Sequence, residues 1–184
     1  ESRSLMLEGL SSDFYSYLQY LVYPEDKIAF ANLLKSPFVR VSDSGFKEIL
    51  SGQDITNEED KRSYDEFLAL YNEIKAKLYS YTLSQLLVKL YIESGYKAYI
   101  ELKPKYKPYS EHFDYLFDYA VSYDEEGYTL SDFVRMLRSL IGTSDRGREA
   151  KVLKEKLNGV QIMTMHKSKG LEFPIVFCSF LGSK

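Results

Sequence analysis

A chain of 184 residues with 45% hydrophobic and 28% charged side chains is long enough to bury a core and falls in the range of one or two domains. It has no apolar run near the roughly 18–20 residues that span a bilayer and no basic-then-apolar start, so the expectation is a soluble, cytoplasmic protein with no membrane partner. The net charge of -3 is unevenly spread: residues 151–184 carry six Lys/Arg against two Asp/Glu, and residues 1–150 carry eighteen against twenty-five. A body of that sign is a poor general polyanion binder, so any nucleic-acid contact within it should be local, whereas the tail can approach phosphates.

Ser11-Ser12-Asp13 offers N-caps for a helix with Phe14, Leu18, Leu21 and Val22 at three- and four-residue spacing, stopping near Pro24. Pro24-Glu25-Asp26 then opens a second helix that runs through Ile28, Ala31 and Leu34 to the Ser36-Pro37 stop. A short third helix is expected at Ser44–Leu50, closed by Gly52. Thr56-x-x-Glu59 reads as a capping box for a long helix over about 58–79. The next helix begins at Thr82 or Leu83, places Leu83, Leu86, Leu87, Leu90 and Tyr91 on one side, and takes Gly95 as its left-handed end.

Lys103-Pro-Lys-Tyr-Lys-Pro-Tyr109 reads as an exposed, non-helical loop, because each proline removes a donor and biases its predecessor toward extended geometry. Helices follow at Glu111–Ser122 and Leu130–Ile141, with a turn at Asp124–Gly127 between them. Ser144–Gly147 is a charged break before a last helical stretch around Arg148–Leu157. After Asn158-Gly159 the pattern changes to two β-branched, apolar runs without helical period, Val160–Met165 and Pro174–Phe180, joined by the polar loop His166–Gly170. Two strands alone are a marginal unit, which implies a sheet whose other strands lie elsewhere.

Chemistry concentrates in that loop. Hydroxyls, an imidazole and exposed amides donate to phosphate oxygens, lysines add charge, and Gly170 permits close backbone approach. Glu172 is useful among phosphate ligands only as an acceptor, and a ribose hydroxyl is the obvious donor. The stretch Val160-Gln-Ile-Met-Thr-Met-His-Lys-Ser-Lys-Gly-Leu-Glu-Phe-Pro-Ile-Val-Phe177 resembles motif V of superfamily 1 helicases of the UvrD/Rep type, closest in wording to the RecB and AddA branch. By that resemblance Thr164, His166, Lys167 and Ser168 face the backbone of single-stranded DNA. Lys169, Gly170 and Glu172 face the ATP side or couple the two ligands.

Phe14–Leu21, Tyr23-Pro-Glu-Asp26 and Leu33-Leu-Lys-Ser-Pro-Phe38 are likewise similar to the start of the helical insertion of these helicases, and Leu130–Leu157 to its last part. The implied fold is mainly α: a 2B-like helical subdomain over 1–156, then an incomplete RecA-like α/β segment over 157–184, a β-loop-β piece carrying motif V.

The resemblance implies an internal piece, from the C-terminal half, of an ATP-dependent 3'-to-5' DNA helicase or translocase of recombinational repair. Such a parent uses ATP and magnesium, engages single strands and single-strand/duplex junctions, and can join other subunits of a helicase-nuclease complex. A phosphate loop, an acidic magnesium pair and an arginine finger are the parts that hydrolyse ATP, and none is recognisable here. The chain alone is therefore expected to be inactive and to hold no cofactor. The Gly-Ile-Gly duplex-binding element of some relatives is also missing, with only Ile141-Gly142 near it.

Lys103, Lys105, Tyr106 and Lys107 in one loop, and Arg146 and Arg148 in another, remain as candidate duplex contacts. The seventeen Tyr and eleven Phe read first as core and half-exposed helix packing, with base stacking the alternative. His112 reads as structural or exposed. His112 and His166 are too far apart, without partners at ligand spacing, to form a metal site, and Cys178 in its apolar run reads as buried and inert. A competing reading makes the helical body a non-catalytic interaction or autoregulatory module that docks protein partners.

Overall fold

The computed structural model describes residues 9–106 and 109–141, among which eight α-helices are present and no strand. The two strands expected at 160–165 and 174–180, the loop expected between them and the helix expected around 148–157 fall on residues outside the described ones. Within them the mainly helical expectation holds.

Helix α1 spans Gly9–Val22 and is the hub. It packs against α2 (Lys27–Lys35), α7 (Tyr109–Glu125) and α8 (Leu130–Ile141). Leu10, Phe14, Tyr17, Leu18 and Leu21 recur on its inward side and are all buried. Full burial of apolar side chains of this size contributes about 1.5–3 kcal/mol each. Ser11-Ser12-Asp13, expected to cap this helix, sits inside it. Asp13 is engaged across the fold instead, accepting from the Tyr96 hydroxyl at 2.8 Å.

The second helix is capped by Asp26, whose carboxylate accepts from the Ile28 and Ala29 amides at 3.0 and 2.9 Å. Gln19 of α1 donates to the same carboxylate at 2.9 Å, which ties the two helices together. Pro24 and Glu25 therefore form the turn before α2 and not its first turn. Helix α3, Asp43–Ser51, starts at the Ser42 cap and ends at Gly52, whose φ of 70° is left-handed. Helix α4, Glu58–Ala76, is capped by Asn57, one residue after the expected threonine. Thr56 points back to α3 and gives both its amide and its hydroxyl to Glu48, at 3.0 and 2.8 Å.

Helix α5, Leu83–Glu93, carries the Thr82/Gln85 capping box. Its first amides are also held from a distance: Asp124, at the end of α7, accepts from Leu83 and Ser84 at 2.7 and 2.9 Å. Gly95, with φ 72°, turns the chain directly into the short α6, Tyr96–Glu101, which the sequence pattern did not announce. Helix α5 packs on both α6 and α7. The segment after α6 forms a 3-10 turn at Pro104–Tyr106 and α7 begins at Tyr109, so the stretch expected to be a non-helical loop is partly helical.

Most of the described aromatic rings line the core or its edge, as core packing requires. Phe14 meets Phe38 at 5.1 Å and Tyr96 at 5.5 Å, Tyr17 meets Phe67 at 5.8 Å, and Tyr91 stacks on Phe113 at 3.7 Å. His112 is 4% exposed and tucked beside Tyr109, which makes it a structural residue. No described helix is long and apolar enough to cross a membrane.

Candidate nucleic-acid interface

Of the loop lysines, Lys103 is the one whose side chain is placed. It is exposed, donates to the Tyr99 hydroxyl at 2.8 Å and stands 4.3 Å from the centre of that ring. The 3-10 turn that follows begins with a bond from the Tyr106 amide to the Lys103 carbonyl at 2.9 Å. This bends the chain so that Tyr106 reaches Tyr99, 5.8 Å between ring centres, and Tyr109, 4.9 Å edge to face. A line of three tyrosines results, each half-buried, with a cation at one end.

A second cation joins from far away in sequence. The Arg40 guanidinium lies 5.6 Å from the Tyr99 ring, within the reach of a cation–π contact. Arg40 has φ 65°, which a non-glycine residue adopts only when its surroundings hold it there. One such hold is the bond from its amide to the Ser36 carbonyl at 3.0 Å. Gly95 faces the guanidinium, with 3.9 Å between it and the place a Cβ would occupy.

Behind the tyrosine line lies a cavity of about 260 Å³. Ser12 and Asp13 of α1 and Asn32, Lys35, Ser36 and Pro37 from α2 and its C-terminal turn form one side, and Tyr106 and Tyr109 form the other. Burial pushes the Asp13 carboxyl up to about 7, opposed in part by the Tyr96 hydrogen bond. Tyr96 is itself raised, first by burial and then by Asp13. Lys35 pairs with Asp43 at the surface and lies 4.6 Å from the Phe46 ring.

A larger cavity of about 410 Å³ opens between α1, Phe38–Arg40, α4 and the end of α5. Its polar lining includes Glu66, Glu73 and Glu93. Lys89 bridges the last two, at 3.0 Å to Glu73 and 2.5 Å to Glu93, and these bonds, Glu93's first, raise its pKa above the ordinary value. With three carboxylates against the one guanidinium of Arg40 on the lining, and Lys89 already committed to two of those carboxylates, that side suits a polyanion poorly.

The backbone of Lys105 lies in the 3-10 turn, while Lys107, Arg146, Arg148 and the whole motif V set, Thr164, His166, Lys167, Ser168, Lys169, Gly170 and Glu172, fall outside the described residues. So does Cys178. The structure adds Asp13, Asn32, Arg40 and Tyr99 to the surroundings of the Lys103 loop. No local pattern singled these residues out, since Arg40 and Asn32 arrive through tertiary packing. Among the described residues no cluster of His, Cys, Asp and Glu has the makings of a metal site.

A model of the UvrD-like helicase C-terminal domain matches residues 11–182. ATP-dependent helicase/nuclease subunits of Bacillus cereus (strain AH820) and Bacillus thuringiensis (strain Al Hakam) are each 31% identical to the chain over 179 aligned residues. Their counterpart in Bacillus anthracis gives the same identity. These alignments cover 88% of this chain and 14% of each relative, so the chain spans a small part of the relatives' length.

Proposed function

The chain belongs to the UvrD-like helicase C-terminal domain family, and from that premise we propose that it serves an ATP-dependent DNA helicase or translocase as its helical body and motif V strand-loop-strand. The division is the one the sequence suggests, a 2B-like helical subdomain over 1–156 and a RecA-like segment over 157–184. Thr164, His166, Lys167 and Ser168 would hold the single-strand backbone. Lys169, Gly170 and Glu172 would approach the nucleotide, with Glu172 accepting from a ribose hydroxyl. ATP and magnesium, 3'-to-5' movement, a role in recombinational repair and partner subunits belong in this proposal to the whole protein, since its relatives are named as parts of an ATP-dependent helicase/nuclease.

For the described residues one observation carries the reading. Lys103 and Arg40 converge on the Tyr99 ring beside Tyr106, a cation-and-aromatic surface in an otherwise acidic body. Such a surface suits a local contact with phosphates and bases at a single-strand/duplex junction. Binding of the chain to a labelled junction at two salt concentrations tests it. Lys103→Ala should lower the steepness of log affinity against log salt by about 1, the share of a single phosphate contact, and His166→Ala should weaken binding at both concentrations. Indistinguishable curves for both variants and the unaltered chain would defeat the proposal. Val88 and Ile92, 41% and 52% exposed one turn apart on α5, would then favour the reading as a module that docks protein partners.

A further inference from the structure

We propose that the cavity between Asn32 and the Tyr106–Tyr109 pair receives one unstacked base of single-stranded DNA, beside the backbone contact made by Lys103. The inference rests on the DNA reading of that loop and goes further, since it assigns a base-holding pocket to residues of α1 and α2.

The two sides of the cavity differ in the way a base requires. The α1 and α2 side presents a hydroxyl from Ser12, a carboxyl from Asp13 and an amide from Asn32, which supply both donors and acceptors for a base edge. The opposite side presents the rings of Tyr106 and Tyr109, held 4.9 Å apart edge to face, so that a planar ligand can stack on one and meet the edge of the other. At about 260 Å³ the space is below the roughly 300–1,000 Å³ of sites for whole drug-sized molecules and suits one ring system.

Charge around the cavity agrees with a base whose phosphates stay outside. Lys35 lies on its lining, and Lys103 stands over Tyr99, the next ring in the line. The Lys35–Asp43 pair is a surface ion pair, with Asp43 91% exposed, and such pairs give way readily to a competing phosphate. Asp13, raised to about 7 by burial, keeps a proton on a substantial share of molecules near neutrality, which lessens its repulsion of a phosphodiester and leaves a carboxyl proton to donate.

Tyr109 packs closely on the start of α1, where a Cβ on Gly9 would fall 1.8 Å from its oxygen, so any other residue there would displace the ring. Nothing in the lining selects one base over another, because an amide and a carboxyl can each turn to match either edge. The pocket would accept an unpaired base of any sequence and exclude a paired one.

The test uses the full 184-residue chain and a single-stranded oligonucleotide carrying one 2-aminopurine, whose fluorescence falls when it stacks. Binding should quench the probe. Asn32→Ala, an exposed helix position where alanine favours the helix, should abolish most of the quench while leaving the circular dichroism unchanged. Tyr106→Leu, which keeps apolar volume beside Tyr99 and Tyr109, should weaken binding roughly 5- to 150-fold, the range supplied by one base–aromatic stack. Lys103→Ala should weaken binding yet preserve the quench of the oligonucleotide that is bound. Salt-sensitive binding with no quench, or a quench unaltered in Asn32→Ala and Tyr106→Leu, would overturn the pocket while the loop's backbone contact stands. Absence of binding at low salt would overturn both. Displacement of the oligonucleotide by an equimolar deoxynucleoside monophosphate would assign the pocket to free nucleotides and overturn the DNA inference.

Discussion

Replacing Asp13 with asparagine should make the protein more stable in mildly alkaline solution and leave it nearly unchanged in acid. Asp13 lies under the tyrosine line, and burial lifts its carboxyl from an ordinary 3.8 to about 7 while the Tyr96 hydroxyl donates to it at 2.8 Å. The folded state therefore binds a proton more tightly than the unfolded chain. Between pH 4 and 7 the folded protein holds a proton that the unfolded chain has lost, so stability falls as pH rises through that window. From the two values, linkage gives a loss of about 2–3 kcal/mol between pH 5 and pH 8, a large fraction of the roughly 5–15 kcal/mol of a typical domain. Asparagine cannot ionise, and its side-chain oxygen can still accept from Tyr96. Urea unfolding followed by circular dichroism at pH 5 and pH 8, for both proteins, isolates the effect, because every other titrating group cancels in the difference between them. The variant should gain about 2–3 kcal/mol relative to the original protein on going from pH 5 to pH 8. A parallel pH dependence, or a variant less stable at pH 8, would refute the assignment of a buried, weakly acidic Asp13.

Other outcomes follow from the same contacts. Asp124→Ala removes the acceptor for the Leu83 and Ser84 amides and should cost about 1–2 kcal/mol, whereas Asp124→Asn should cost less, as thermal melting will show. Gly45→Ala should destabilise the protein by about 1–3 kcal/mol, because the added carbon would lie 2.5 Å from an Asp60 oxygen and disturb the bond from the Ser42 amide at 2.8 Å. Urea unfolding equal to the original would show that Asp60 simply turns aside. Gly95→Ala should cost about 1–2 kcal/mol through its φ of 72° alone, since the space beside it is open to ordinary contact; a neutral result would mean the α5–α6 turn can change shape.

What the linear sequence settled was local. Periodicity marked α1, the stops at Pro24 and Ser36-Pro37 bounded α2, Gly52 and Thr82 set a helix end and a helix start, and Leu130–Ile141 is helix α8 residue for residue. Each of these depends on interactions within a turn or two, so neighbouring residues encode it. The stretch from Val160 to Phe177 carried the family resemblance for the same reason, and the match over residues 11–182 agrees with it. The tertiary structure decided what could not be read locally. Serines and an aspartate that look like caps at 11–13 became interior residues of α1, because Asp13 is claimed by a tyrosine 83 positions away. Asp124 caps a helix 40 residues upstream, and Arg40, left-handed at φ 65°, meets the Tyr99 ring from the turn after α2. A one-dimensional pattern records which groups need partners. Only the packing of α1 against α2, α7 and α8 determines which distant groups arrive to meet them.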